Sequence, residues 1–214
     1  MTDGAAGTSR LAAAADAPAL VLASASRARA ALLHNAGLAF TQDAARIDEA
    51  AVKAALLAEG ADTARAAETL AELKAQRVAP RHPGALVLGA DQMLESGSRW
   101  FDKAADSAEA AATLRALAGK THRLVSAICL VRDGVRLWHH VAEARLTMRP
   151  LSDAFIAAYL EDIGSAALDS AGAYQVEGRG AQLFSRIEGD HFTILGLPLL
   201  PLLDVLRNHR VVPT

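Results

Sequence analysis

Residues 122–148, HRLVSAICLVRDGVRLWHHVAEARLTM, read as two long strands joined at Arg132-Asp133-Gly134. Asp-Gly between apolar runs is a strong hairpin signal, because the favoured two-residue turn needs positive φ at both central positions. A hairpin pairs antiparallel, so it breaks the strand–helix alternation of a doubly wound sheet. Cys129 lies inside the first apolar run and reads as a small buried strand residue rather than a nucleophile. His139 and His140 are adjacent on the second strand and therefore face opposite sides, with no metal-ligand spacing.

Working outward, ALVLAS ending near Ser24 is a short apolar run expected of a strand covered on both faces. A helix from about Arg27 to Ala36 follows, then a brief strand and a helix start near Asp48. Two Ala-rich helical stretches are separated by Gly60, and Pro80 ends the second. GALVLGAD is a further buried strand, read as breaking at Asp91, and an amphipathic helix closes at Gly119. After the hairpin comes a helix with Ser152 as its cap, a glycine-punctuated region of strand and loop that includes His191, and a closing helix opened by Pro198. The order implies an α/β fold with a mixed, twisted sheet and flanking helices.

The chain has 214 residues, 52% of them hydrophobic, enough for one sizeable core in one domain or two closely packed lobes. A net charge of -2 gives no reason to expect a nucleic-acid polymer or an anionic membrane as partner. One cysteine excludes an internal disulfide framework and agrees with a reducing cytoplasm. Residues 1–17 read as a flexible Ala-rich lead-in lacking the basic start and aliphatic block of a signal peptide, and 18–214 as a single domain. The apolar run 192–206 is too short to span a bilayer and carries two prolines.

The stretch SASRAR, Ser24–Arg29, places two arginines in the first turn of a helix, where the partial positive charge disfavours cations. Ser24, Ser26 and the backbone N–H groups beside them form a turn suited to phosphate, which would offset the arginine charges. Serines that merely cap the helix, with arginines in solvent, fit the same residues. Asp91, at the expected strand end, would hold a divalent cation or act as a base, or else close its own turn. Asp48, Glu49, Lys74 and Lys103, each taken singly, read as solvated helix or loop charges.

Taken together these pieces resemble the Maf family of nucleotide pyrophosphatases. The family opening L-A-S-x-S-P-R-R resembles LASASRAR at 22–29, its D-E resembles Asp48-Glu49, and its K-A resembles Lys74-Ala75. G-[AS]-D-[TQ] matches Gly89–Gln92, G-K-P resembles Asp102-Lys103-Ala104, and G-L-P-L matches Gly196–Leu199. The resemblance implies a Maf/ITPase-like fold with two lobes around a deep cleft, usually a homodimer. It also implies hydrolysis of a nucleoside triphosphate to monophosphate and pyrophosphate with Mg or Mn, in a family linked to nucleotide-pool housecleaning and arrest of septum formation.

By that resemblance Asp91 is the proton acceptor, and Glu49 with Asp91 holds the metal. Ser24, Ser26, Arg29, Lys74 and Lys103 bind phosphate. Ala28, Gln92 and Glu177 occupy positions that select the base, and Gln92 with Glu177 resembles the branch acting on N7-methyl-GTP. Three departures stand out: Arg27 where the family often has proline, Ala28 in place of the first arginine, and Ala104 for the proline after Lys103, a change that loosens that loop. Arg27 reads as a solvent-facing neighbour. A different base such as inosine, and a nucleotide-binding regulator of division with little catalysis, are the alternatives.

Overall fold

The computed structural model describes residues 13–213. The lead-in expected over 1–17 falls mostly outside them; in its described part, the Ala14 N–H donates to the Arg210 carbonyl at 3.1 Å and Asp16 pairs with Arg210 at 2.7 Å. The elements run β1 (Leu20–Leu22), α1 (Arg27–Asn35), β2 (Thr41–Gln42), α2 (Glu49–Ala58), α3 (Thr63–Val78), β3 (Leu86–Ser96) and β4 (Arg99–Phe101). They continue with α4 (Ser107–Leu117), β5 (Thr121–Arg132), β6 (Val135–Met148), α5 (Asp153–Ile163), β7 (Phe184–Glu188), α6 (His191–Ile194) and α7 (Leu199–Asn208).

Among the described residues, seven strands form one sheet in the order β2-β1-β3-β5-β6-β7, with β4 paired to β3 off that path. β1 lies parallel to β2 and β3, and every other pairing is antiparallel. The fold is the mixed α/β arrangement that the hairpin implied. Asp133 and Gly134 take φ of 50° and 79°, the positive values that a tight β5–β6 turn requires.

Side-chain alternation along β3 splits the core in two. Val87 and Met93 pack on Ala67, Leu70, Ala71 and Ala75 of α3, whereas Leu86, Leu88 and Ala90 pack with Leu33 of α1 and Leu202 and Leu206 of α7. Gly89 belongs to the α3 face: a Cβ there would lie 1.9 Å from the Ala71 carbonyl oxygen and 2.9 Å from Ala75 Cβ. The absent side chain lets helix and strand backbones approach closely. A third apolar cluster joins α4 and α5 to the far halves of β5 and β6 through Leu114, Leu124, Leu146 and Ile156.

Three local readings are corrected. β3 does not break at Asp91 but runs on to Ser96, because β5 pairs with it continuously from Val87 to Glu95. The short strand β4, returning through Gly97, was not expected. His191 is not in a loop but opens α6, which Asp190 caps by accepting from the Thr193 N–H at 2.8 Å. No described helix is long and apolar enough to cross a membrane.

Candidate active site

β1 ends at Leu22 while its neighbour β3 continues, and the candidate site is built on that mismatch. The Ala23 N–H takes the Leu88 carbonyl at 2.8 Å, the last rung on this side. The next acceptor, the Ala90 carbonyl, is taken by Arg29 Nη1 at 3.0 Å. Arg29 Nη1 also donates to Ser24 Oγ at 3.1 Å, and Nε donates to the Gly196 carbonyl at 2.8 Å. The guanidinium thus replaces a strand, tying β1, β3 and the end of α6 together, with only 8% of Arg29 exposed.

Burial pushes the Arg29 pKa down from the ordinary guanidinium range, and the charges of Asp91 and Glu49 oppose that shift. Ser26 caps α1, accepting from the Arg29 N–H at 3.3 Å, while its own N–H donates to Ser24 Oγ at 3.2 Å. The Ser24 carbonyl accepts from Gln42 Nε2 at 2.7 Å, which anchors the turn to β2. Other first-turn N–H groups of α1 have no intrahelical partner, as at any helix N-terminus. Arg27 is exposed, yet its Nη2 lies 2.5 Å from Asp169 Oδ2, so one of the two misplaced cations carries its own counterion.

On the α3 face of β3, Asp91 follows Gly89 by two residues and therefore points the same way. Lys74, one residue before the Ala75 that packs on Gly89, places Nζ 2.6 Å from Asp91 Oδ1 and 2.8 Å from Glu49 Oε1. Glu49 is the first residue of α2, set there by Asp48, whose side chain accepts from the Ala51 N–H at 3.0 Å. Asp91 is 4% exposed and Lys74 7%, and Asp91 Oδ2 is buried with no hydrogen-bond partner. A buried acceptor to which no protein group donates is costly, so this oxygen is suited to accept a proton or to ligate a cation.

Glu49 and Asp91 supply hard oxygen donors from two elements. That fits Mg or Mn, which commonly takes one or two carboxylates and completes its shell with water and phosphate oxygens. Among the described residues no group of three or more acid, His or Cys side chains is placed to hold a metal by itself.

Gln92 points to the opposite face from Asp91. Its Nε2 donates to Ser126 Oγ at 2.9 Å and to the carbonyls of Thr193 and Ile194 at 3.0 and 3.1 Å. Ser126 is fully buried and donates to the Thr193 carbonyl at 2.9 Å. This bracket of Ser126, Thr193 and Gly196 was missed in the sequence, where only the G-L-P-L match pointed to the region. The structure therefore gathers Ser24, Ser26, Arg29, Glu49, Lys74, Asp91 and Gln92. Ala28, Lys103 and Glu177 are exposed and make no side-chain hydrogen bond or ion pair with that group. A cavity of about 410 Å³ bounded by Asp43, Arg46, Arg77 and Arg81 includes none of these residues.

Cys129 is fully buried, and burial pushes its thiol up to about 12, so it is no nucleophile. His139 faces Glu68 while His140 stacks on Trp138, the opposite sides expected of neighbours on a strand.

The family model described as Maf-like protein matches residues 19–209. A protein of Paramagnetospirillum magneticum named nucleoside triphosphate pyrophosphatase is 59% identical over 194 residues, covering 90% of this chain and 100% of that protein. One of Rhizobium johnstonii named 7-methyl-GTP pyrophosphatase is 55% identical over 191 residues, covering 89% of this chain and 96% of its own length. A nucleoside triphosphate pyrophosphatase of Rhodospirillum rubrum is 50% identical over 195 residues, or 91% of this chain and 96% of that protein.

Proposed function

We propose, since this chain belongs to the Maf-like protein family, that it is a hydrolase of the α–β phosphoanhydride of a nucleoside triphosphate, releasing a monophosphate and pyrophosphate. The observation that carries this reading is Asp91: buried, held through Oδ1 by Lys74, and left with an unpartnered Oδ2. Relatives named as pyrophosphatases at 50–59% identity over nearly the whole chain support it.

In this mechanism Asp91 Oδ2 accepts a proton from the water whose oxygen bonds to the α-phosphorus. The bond from that phosphorus to the bridging oxygen breaks, and pyrophosphate leaves with the electron pair. Lys74 keeps Oδ1 engaged, so Oδ2 has a fixed orientation at the moment of transfer. Arg29, the Ser24–Ser26 turn and Lys103 bind the phosphates. Arg29 contributes its position as well as its charge, since Nε and Nη1 are already committed to the protein and Nη2 is the end left over. Glu49, with Asp91 beside it, would hold a divalent cation that neutralises phosphate charge and acidifies a bound water, while Oδ2 stays free to take the proton.

For the base we propose an N7-methylated guanine. Such a base presents donors on its N1 and N2 edge, which the Glu177 carboxylate can accept. Gln92 spends its amide nitrogen on Ser126, Thr193 and Ile194, which leaves Oε1 as its available acceptor. The test is pyrophosphate release with Mg or Mn across the natural triphosphates and N7-methyl-GTP. Fastest release from the methylated substrate, reduced in Glu177→Gln, supports the reading; equal rates on pyrimidine triphosphates overturn the base assignment, and no release from any of them overturns the activity.

A further inference from the structure

The loop that carries Lys103 is tied to α2. Lys53 Nζ lies 2.5 Å from Asp102 Oδ1, across 49 residues of sequence, and the Lys53 side chain is only 17% exposed. Lys53 follows Glu49 by four residues, so the two project from one face of α2 about one turn, or ~5.4 Å, apart. Neither pairs with the other. Glu49 reaches to Lys74, and Lys53 reaches to Asp102. One helix face thus places Asp102, and with it Lys103, roughly one turn from the acid–lysine cluster.

The other flank of Lys103 is held as well. Ala104 is buried in the cluster formed by Phe101, Leu114 and Ile156, and the Ala105 N–H donates to Glu109 Oε2 at 2.8 Å. Asp106 then caps α4 by accepting from the Glu109 N–H at 2.8 Å. The expectation that Ala104, lacking the ring of a proline, loosens this loop meets a structure in which the backbone on both sides of Lys103 is anchored. Only the Lys103 side chain is free.

We propose that Lys53 and Asp102 are positioning residues: their ion pair sets the Lys103 loop against α2 and so fixes the point from which the Lys103 side chain reaches toward the Glu49–Lys74–Asp91 cluster. This rests on the reading of Lys103 as a phosphate ligand in a pyrophosphatase. A pair this exposed on the Asp102 side adds little to global stability, so its effect is geometric. Misplacing a charge by an ångström is enough to cost a large factor in turnover.

The experiment uses the full chain and measures pyrophosphate release, thermal unfolding and amide hydrogen exchange of residues 102–106. Lys53→Ala and Asp102→Ala should each lower kcat/KM about tenfold with an unchanged unfolding temperature and faster exchange in the loop. The swap Lys53→Asp with Asp102→Lys should return both readouts to within about threefold of the native chain. In a Lys103→Ala background, breaking the pair should have no further effect on kcat/KM. An equal loss with and without Lys103, or no loss in either single variant, overturns the proposal. Loop exchange that Lys53→Ala leaves unchanged overturns the tether even if the native chain releases no pyrophosphate, the outcome that would sink the activity instead.

Discussion

The Lys74 ammonium sits 2.6 Å from Asp91 Oδ1, bridging α3 to the middle of β3, while the other Asp91 oxygen is buried without a partner. The bridge is set by packing. Gly89 and Ala75 bring the two backbones together, and Asp91, two residues past Gly89, then meets Lys74, the neighbour of Ala75, across the gap. A carboxylate satisfied on one oxygen and unsatisfied on the other is oriented for work at the free one, at a cost to stability that the Lys74–Glu49 pair in part offsets.

Replacing Asp91 with Asn keeps size and shape but removes the proton acceptor. Pyrophosphate release should fall by about 10²–10⁴-fold, the usual contribution of a positioned general base. Nucleotide binding, followed by calorimetry, should persist. Turnover within threefold of native would remove Asp91 from the mechanism.

Lys74→Met leaves the Asp91 carboxylate buried and unpaired. Loss of one partner of a buried pair costs about 3–5 kcal/mol, readable from the urea midpoint. Adding Asp91→Asn to Lys74→Met should recover part of that loss, because no uncompensated charge remains. If the double variant is less stable than Lys74→Met alone, the buried pair is not the source of the effect.

Gly89→Ala would put a methyl group 1.9 Å from the Ala71 carbonyl, so α3 has to move. Overpacking of this kind costs about 1–3 kcal/mol. Because α3 carries Lys74, turnover measured well below the unfolding temperature should fall too. A destabilised variant with native turnover would show that the α3–β3 spacing does not matter to the site.

His122 on β5 is 1% exposed, its Nε2 lies 2.7 Å from Tyr174 Oη, and its Nδ1 has no partner. Burial lowers its pKa from 6.5 to about 4. Between those values the unfolded chain takes up a proton that the folded chain refuses, so stability contributed by neutral His122 is complete above 6.5 and is lost as pH falls toward 4. The full loss is roughly 3 kcal/mol, at about 1.4 kcal/mol per pH unit. His122→Gln keeps a hydrogen-bonding group for Tyr174 and does not titrate, so its stability should fall less between pH 7 and pH 5; parallel pH profiles would place the titration elsewhere.

Much of the molecule was legible along the chain because the signals are local. Ser26, Asp48 and Ser152 cap helices where capping chemistry places them, and Asp133-Gly134 makes the turn that pairs β5 with β6 antiparallel. Asp91 was misread as a strand end, since its polar side chain ends the apolar run while the backbone continues. Nothing local shows that β5 lies alongside to supply the hydrogen bonds that carry β3 to Ser96. The Arg27–Asp169 pair was out of reach for a similar reason, its partners lying 142 residues apart.

Element order, hairpin, caps and the identity of the ionisable residues follow from neighbours a few positions apart, where propensity and turn chemistry act directly. The pairing of Lys74 with Asp91, the turning inward of Arg29 onto Ala90 and Gly196, and the anchoring of the Lys103 loop by Lys53 do not. These depend on where β1 stops beside β3 and on how closely α3 approaches Gly89. Sheet register and helix packing decide them, because a charge finds its partner through space and not along the chain.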